Sequence, residues 1–266
     1  MIKRENGIYC GVMRIAALIG IILMSLPVLV VIVYGAPLLV RGVGLNGLAE
    51  SIELTLVSSL LAAAMDAALL TPAAYFFSRH SASVADSIAD LPASIPHPVI
   101  GIAIVLALSP TTPIGAALAD LGFKVFDTFS GLSLALMAVS SPIYYRSARN
   151  FFESMPREQE EYAHTIGMDE VSTFIKVVLP QSIKGIASSV LVATSRAMSE
   201  FGSVAIVAYY VLTGPIRAMP ASVMIYNSYS YSGVGAAVSE SAALVLVGLA
   251  VELVSRLLGW GRRLWW

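Results

Sequence analysis

Long apolar runs alternate with short polar connections along the chain, and the runs have the length of membrane-crossing helices. A helix needs ~20 mostly apolar residues to cross a hydrocarbon core of about 30 Å. Residues 15–34 carry no charge, and residues 54–75 carry one, Asp66. Residues 91–108 are uncharged but hold Pro92, Pro96 and Pro98, so their first turns are expected to be irregular or extended. Residues 128–145 are uncharged, and 185 to about 211 are apolar apart from Arg196 and Glu200. Residues 241 to about 258 carry Glu252 and Arg256 near their end. The pattern predicts an all-α polytopic membrane protein with about six transmembrane helices.

Composition agrees. Of 266 residues, 57% are hydrophobic and 12% charged, and mean hydropathy is +0.80. Soluble domains are about one quarter charged. The single cysteine, Cys10, excludes a disulfide scaffold. Sixteen basic against 17 acidic residues, with no basic stripe, argue against a nucleic-acid partner, and the composition excludes disorder. Lys3, Arg4 and Arg14 imitate the start of a signal peptide. The apolar run that follows is longer than a signal core and has no small-residue cleavage site after it, so a retained helix is expected.

Loop charges give the orientation. With a cytoplasmic N-terminus, twelve Lys and Arg residues fall on that side, from Lys3 to Arg263, and three on the other: Arg41, Lys124 and Arg217. Both termini are therefore expected in the cytoplasm, with Trp260, Trp265 and Trp266 beside Arg262 and Arg263 as an interfacial anchor. Residues 218–239 have no charge but are rich in Tyr, Ser and Gly, including Tyr226, Tyr229 and Tyr231. They are too polar to face lipid, and a short helix or re-entrant turn buried among other helices is expected there.

The longest cytoplasmic connection, residues 146–184, is the most informative. Pro156 suits a first helical turn, residues 157–166 then form a short acidic helix, and Gly167 stops it. Asp169 can cap a second short helix, with Ser172 and Thr173 on its polar side and Val171, Phe174 and Ile175 available for packing. Pro180 is expected to break the chain before the next span. Glu161-Tyr162-Ala163, then Gly167, Val177 and Leu179-Pro180 follow one another at fixed offsets.

Those residues resemble the cytoplasmic EAA loop of bacterial and archaeal ABC importer permeases: Glu-Ala-Ala, three residues, Gly, nine residues, Ile, one residue, Leu-Pro. The spacing is kept over 20 residues, with Tyr162 in place of the first alanine and Val177 in place of isoleucine. An ordinary acidic helix-turn-helix linker would explain the charges but not the offsets of Gly167 and Leu179-Pro180. Further resemblance lies in Ser199-Glu200-Phe201-Gly202-Ser203-Val204, Ala208-Tyr209-Tyr210, the stretch from Ile95 to Gly101 and Phe126-Asp127-Thr128. These look like molybdate and tungstate permeases, archaeal tungstate-type members in particular, and sulfate permeases share part of the pattern. The resemblance covers about residues 51–256. It divides the chain into 1–50 (tail, first helix and outer loop), 51–256 (a five-helix transmembrane domain with the loop at 151–180) and a 257–266 cytoplasmic tail.

The resemblance implies a type I ABC importer permease fold in a prokaryotic cell membrane. It also implies a homodimer whose two halves each dock the loop helix into a cleft on one of two ABC ATPase subunits. An extracytoplasmic binding protein would deliver a tetrahedral oxyanion, tungstate or molybdate, with sulfate or thiosulfate as the alternative. ATPase closure would move the loop helices, and the pore would alternate between inward and outward openings. Glu161, Ala163, Gly167, Val177, Leu179 and Pro180 would form the ATPase-coupling loop. No Gly-x4-Gly-Lys-Ser/Thr phosphate loop occurs in the chain. A non-catalytic subunit without a cofactor is expected, with ATP and Mg on the partner ATPase.

Arg196 lies twelve residues beyond Lys184, ~18 Å along a helix, which puts it near the bilayer midplane. Glu200, four residues on, can pair with it. Two readings stay open. One is a structural ion pair hydrogen-bonded to Ser140 or Ser141. The other is a translocation pathway built from Arg196, Ser199, Glu200, Ser140 and Ser141, in which Arg196 attracts the anion and Glu200 gates it or keeps it from sticking. Asp66 is expected to be a helix-to-helix hydrogen-bond partner, and His97 a backbone partner in a broken helix, with a ligand role as the alternative. Three scattered histidines and one cysteine form no metal-ligand set. An intramembrane enzyme would need a His-Glu-x-x-His or Gly-x-Ser-x-Gly motif, and neither is present. A self-sufficient ion-coupled carrier using Asp66, Arg196 and Glu200 would call for paired broken helices in two matching halves, which the sequence does not reveal.

Overall fold

The computed structural model describes residues 2–80 and 83–260. In chain order the helices are α1 (Ile2–Val40), α2 (Leu48–Arg79), α3 (Ser83–Ser94), α4 (His97–Ala107), α5 (Pro113–Asp120), α6 (Phe129–Glu153), α7 (Glu158–Thr165), α8 (Glu170–Thr173), α9 (Leu179–Met198), α10 (Gly202–Val207), α11 (Ala221–Tyr231) and α12 (Val234–Trp260). A π-helical turn, Phe174–Val178, joins α8 to α9. The described residues form no sheet, only one isolated parallel bridge between Thr128 and Thr213.

Four helical stretches are long and apolar enough to cross a membrane: Met13–Val40, Leu48–Arg79, Glu170–Met198 and Val234–Leu258. A fifth is obtained if Asp86–Ser94 and His97–Ala107, bent by 102°, form one broken span. At the expected span 128–145 the structure has the 25-residue α6, which is not among the stretches apolar enough to cross a membrane, since Ser130, Ser133, Ser140 and Ser141 dilute its apolarity. Its neighbours α2, α3, α4, α9 and α10 pack against it. A helix enclosed by others does not have to dissolve in lipid, so its composition can be mixed.

The chain divides into two compact units. One comprises the chain up to Asn46 with Ile225–Leu246, the other Gly47–Met224 with the chain from Val247. In the first unit, Ser239 donates its hydroxyl to the Val43 carbonyl at 2.7 Å. Ser228 of α11 donates to Glu240 Oε1 of α12 at 2.7 Å, and Glu240 is buried. Isolated burial of a carboxylate is costly, so the Ser228 hydroxyl answers a real demand. The expected short helix at 218–239 exists as α11, with Tyr226, Tyr229 and Tyr231 exposed.

In the second unit, α2, α6 and α9 pack on one another, α3 lies on α6, and α4 lies on α10. Small residues bring the backbones together: Ala62, Ala63, Ala74, Ala135, Ala148, Ala193 and Ala197 are all buried. Larger side chains, among them Leu54, Leu132, Leu136, Tyr144 and Phe152, fill the spaces between. Two polar contacts tie α2 to α6. Ser140 donates to Asp66 Oδ2 at 2.6 Å, and the Thr71 and Tyr144 hydroxyls meet at 2.5 Å.

Three expectations are corrected. Residues 185–211 are not one span, because α9 ends at Met198, residues 199–201 break the helix, and α10 is short. Residues 208–220 are non-helical. Part of the backbone there is paired: Leu212 N–H with the Asp127 carbonyl, Phe129 N–H with the Thr213 carbonyl and Val211 N–H with the Ala218 carbonyl, each at 2.9 or 3.0 Å, while Asp127 N–H meets the adjacent Val207 carbonyl at 3.0 Å. Irregular backbone of this kind is tolerated where protein rather than lipid surrounds it. Pro180, the second correction, does not break the chain, since helix runs without interruption from Glu170 to Met198. Pro180 sits in the first turn of α9, directly after the π turn, where its missing N–H leaves no α-helical bond unmade. Third, the prolines at 92–98 produce a sharp bend between α3 and α4 rather than only an irregular first turn. The expected Trp260, Trp265 and Trp266 anchor with Arg262 and Arg263 lies outside the described side chains.

Candidate functional site

The loop between α6 and α9 is held from beneath. Arg79, the last residue of α2, directs Nη2 to Glu160 Oε1 at 2.5 Å and Nε to Oε2 at 3.1 Å, while its Nη1 donates to the Phe152 carbonyl at 2.6 Å. Tyr75 donates to Glu160 Oε2 at 2.9 Å. The Tyr75 ring stacks on Phe174 at 4.7 Å and meets Phe152 edge-on at 5.5 Å. Glu160 and Ala163, three positions apart, form the buried face of α7. Glu161 on the opposite side is exposed.

Gly167 has φ +86°. The Met168 N–H bonds the Ala163 carbonyl at 3.1 Å and the Gly167 N–H bonds the His164 carbonyl at 3.0 Å. This is a Schellman stop, whose left-handed position glycine fills without strain. Asp169 stands at the N-cap of α8, and the Ser172 hydroxyl beside it holds its carboxyl below the ordinary value. Val177 and Leu179 are half-buried, and Pro180 is exposed. Of the three residues expected to pack, Phe174 does, whereas Val171 and Ile175 are exposed, as are Tyr162 and Ile166. The loop therefore clamps Glu160 inward and leaves Tyr162, Ile166, Val171 and Ile175 outward among the exposed Glu158, Glu161 and Glu170.

The second cluster forms where two broken helices meet, the α3–α4 bend and the 199–201 break. Gly101 and Gly202 permit the approach. A Cβ on Gly101 would lie 2.8 Å from the Ser203 carbonyl oxygen, and one on Gly202 would lie 2.8 Å from Pro98 Cδ. His97 Nδ1 lies 2.7 Å from Glu200 Oε2 and Arg196 Nη2 lies 3.5 Å from the same oxygen. Arg196 Nη2 is 3.3 Å from the imidazole nitrogens of His97. Both contacts are satisfied together when Nδ1–H donates to Glu200 and Nε2 accepts from Arg196. Arg196 Nη1 donates to Ser199 Oγ at 3.0 Å. Glu200 is buried, with Oε1 accepting from the Ser203 N–H at 2.9 Å and the Ser203 hydroxyl at 3.1 Å. Its main-chain carbonyl accepts from the Ser222 hydroxyl at 2.6 Å.

Arg196, Ser199 and Glu200 are thus brought together. Ser140 and Ser141 are not part of that cluster: Ser140 serves Asp66, and Ser141 donates to its own helix at the Ala138 carbonyl. Asp66 takes the helix-to-helix role expected of it. His97 joins a charged cluster rather than a backbone carbonyl. Arg79, Tyr75 and Glu160 were not singled out from sequence. The one local signal for Glu160 is its position three residues before Ala163, on the same face of α7.

The profile of the family described as "Binding-protein-dependent transport system inner membrane component" matches residues 67–263. The molybdate/tungstate transport system permease protein WtpB of Pyrococcus furiosus is 31% identical over 217 residues, covering 80% of this chain and 79% of that one. The sulfate transport system permease protein CysW of Synechocystis is 29% identical, over 80% of this chain and 76% of that one. A solved structure of the MetNI methionine ABC transporter, in inward facing conformations, aligns with a TM-score of 0.56 at 16% identity, covering 82% of this chain and 96% of that one. The helical architecture is therefore shared with an ABC transporter, and the loop that suggested it sits within the matched residues. The chain belongs to the family of inner membrane components of binding-protein-dependent transport systems.

Proposed function

We propose that the chain is the membrane-spanning subunit of an ATP-driven importer for a tetrahedral oxyanion of the tungstate and molybdate class. It works as a homodimer with two ATPase subunits and an extracytoplasmic binding protein. ATP and Mg are bound on the ATPases, and both termini of this chain lie in the cytoplasm. The observation that carries this reading is the loop geometry. The Arg79–Glu160 clamp fixes α7 to the bundle and leaves Tyr162, Ile166, Val171 and Ile175 exposed beside Glu161. A cytoplasmic apolar face that none of the described residues covers suits a partner protein. Glu161, Ala163, Gly167, Val177, Leu179 and Pro180 shape that face, while Arg196, Ser199 and Glu200 lie on the anion's route.

The oxyanion assignment is supported by the similarity to relatives named as molybdate/tungstate permeases. Similarity to sulfate permeases at 27% to 31% identity favours sulfate as the second reading. The test is ATP hydrolysis in liposomes that hold the chain, its ATPase and its binding protein, the last loaded in turn with tungstate, molybdate or sulfate. Stimulation by the first two alone is expected. Stimulation by sulfate alone would replace the substrate, and failure to assemble with an ATPase would overturn the importer reading.

A further inference from the structure

The cluster at the two helix breaks has a chemical asymmetry. Its donors lie on the open side, because Ser199 is exposed and the Arg196 and His97 side chains are about 30% and 28% accessible. Its one carboxylate, on Glu200, lies underneath at 1% and is pinned through both oxygens. A tetrahedral oxyanion offers only acceptors, so it can be met by Arg196, by the Ser199 hydroxyl once it turns from the Arg196 carbonyl it meets at 2.7 Å, and by the His97 N–H once it turns from Glu200, but not by Glu200 itself. With His97 in the neutral form that satisfies its contacts, Arg196 and Glu200 cancel, and while the site is empty the imidazole and hydroxyl protons are held inside the cluster by Glu200 and the Arg196 carbonyl.

We infer that His97, Arg196 and Ser199 form a transit site for a tetrahedral oxyanion, and that Glu200 is the fixed counter-charge that keeps the site weak. The inference rests on the oxyanion reading above and adds His97 to the route, with a function for the buried carboxylate. A lone arginine in a membrane interior would hold a dianion too firmly to release it, and conduction requires sites that can be entered and left. Glu200 draws Arg196 and His97 back when the anion departs. The same contacts join the α3–α4 bend to the 199–201 break, so the site lies where the two interrupted helices are bound to each other.

The test reads local charge and occupancy without transport. Ser199→Cys is placed in a Cys10→Ala chain, assembled with its ATPase in lipid nanodiscs. The thiol is modified with anionic sulfonatoethyl or cationic trimethylammonioethyl methanethiosulfonate, with and without sodium tungstate. Tungstate at millimolar concentration is expected to slow modification severalfold, whereas sodium chloride of equal ionic strength does not. Arg196→Gln is expected to abolish protection, His97→Gln to weaken it severalfold, and Glu200→Gln to bring it in at roughly tenfold lower tungstate as the competing charge is removed. Glu200→Gln should also raise the preference for the anionic reagent. Absence of protection in the parent chain, or protection unaltered by Arg196→Gln and His97→Gln, overturns the site while the importer assignment stands. Loss of ATPase assembly with protection intact would do the reverse. If Ser199→Cys does not fold, tungstate protection of Arg196 in the wild-type chain against phenylglyoxal, read by mass spectrometry, gives the same two outcomes.

Discussion

Arg79 and Glu160, 81 positions apart in the chain, form a forked ion pair with contacts of 2.5 and 3.1 Å at the foot of α7. Both side chains are about nine-tenths buried. Arg79 also caps the end of α6 through the Phe152 carbonyl, so one guanidinium joins α2, α6 and α7.

Removing one member of this pair leaves the other charge buried without its partner, a change that costs about 3–5 kcal/mol in comparable settings. Glu160→Ala and Arg79→Ala are each expected to release α7 and expose the peptide bond after Arg157 to trypsin in the membrane-embedded complex, with uptake lost. Glu161→Ala, on the exposed side, should not alter cleavage. Equal trypsin resistance of Glu160→Ala and the wild-type chain would show that α7 is held by other contacts.

At Gly167 the obstacle to substitution is conformational, because a Cβ there would meet no atom within 4 Å. A β-branched residue in the left-handed region costs about 1–2 kcal/mol, whereas asparagine tolerates it better. Gly167→Val should therefore weaken recovery of the ATPase complex, and Gly167→Asn should retain most of it. Equal loss from both variants would implicate missing space at the partner surface instead of backbone strain.

Ser140 and Asp66 give a third prediction. Ser140→Ala withdraws the only hydrogen bond described for the Asp66 carboxyl, one of whose oxygens is already buried without a partner. The expected loss is about 1–3 kcal/mol, seen as a lower melting temperature of the purified complex. Asp66→Asn keeps an acceptor for the Ser140 hydroxyl, so it should fall less and transport normally. An intact Asp66→Asn complex with no uptake would make Asp66 a pathway residue.

What could be read in the sequence was local. The offsets from Glu161 to Pro180 identified the loop and the glycine stop, since helix termination is decided by a few adjacent residues. Apolar runs located the helices. The end of α9 at Met198 was hidden because residues 185–211 are apolar on both sides of Ser199 and Glu200, and the Glu200 carbonyl freed at the break is satisfied by Ser222, distant in sequence. The same distance concealed the pairing of Glu160 with Arg79 and of Glu200 with His97. Each carboxylate has nearer cations in the sequence, and only the packing of helices decides between them.

The π turn has a consequence for angular register. Counting back from the buried Ser182 and Val178 in steps of 3.6 residues, an unbroken α-helix would turn Val171 inward. The extra residue of the π turn advances the phase by roughly 100°. Thr173 occupies the inward position, fully buried, and Val171 points away at 64% exposure. One additional residue thus decides which side chains of α8 belong to the bundle and which are left for another surface. Deleting it would keep the composition of the loop almost unchanged while rotating its apolar face out of reach of any partner.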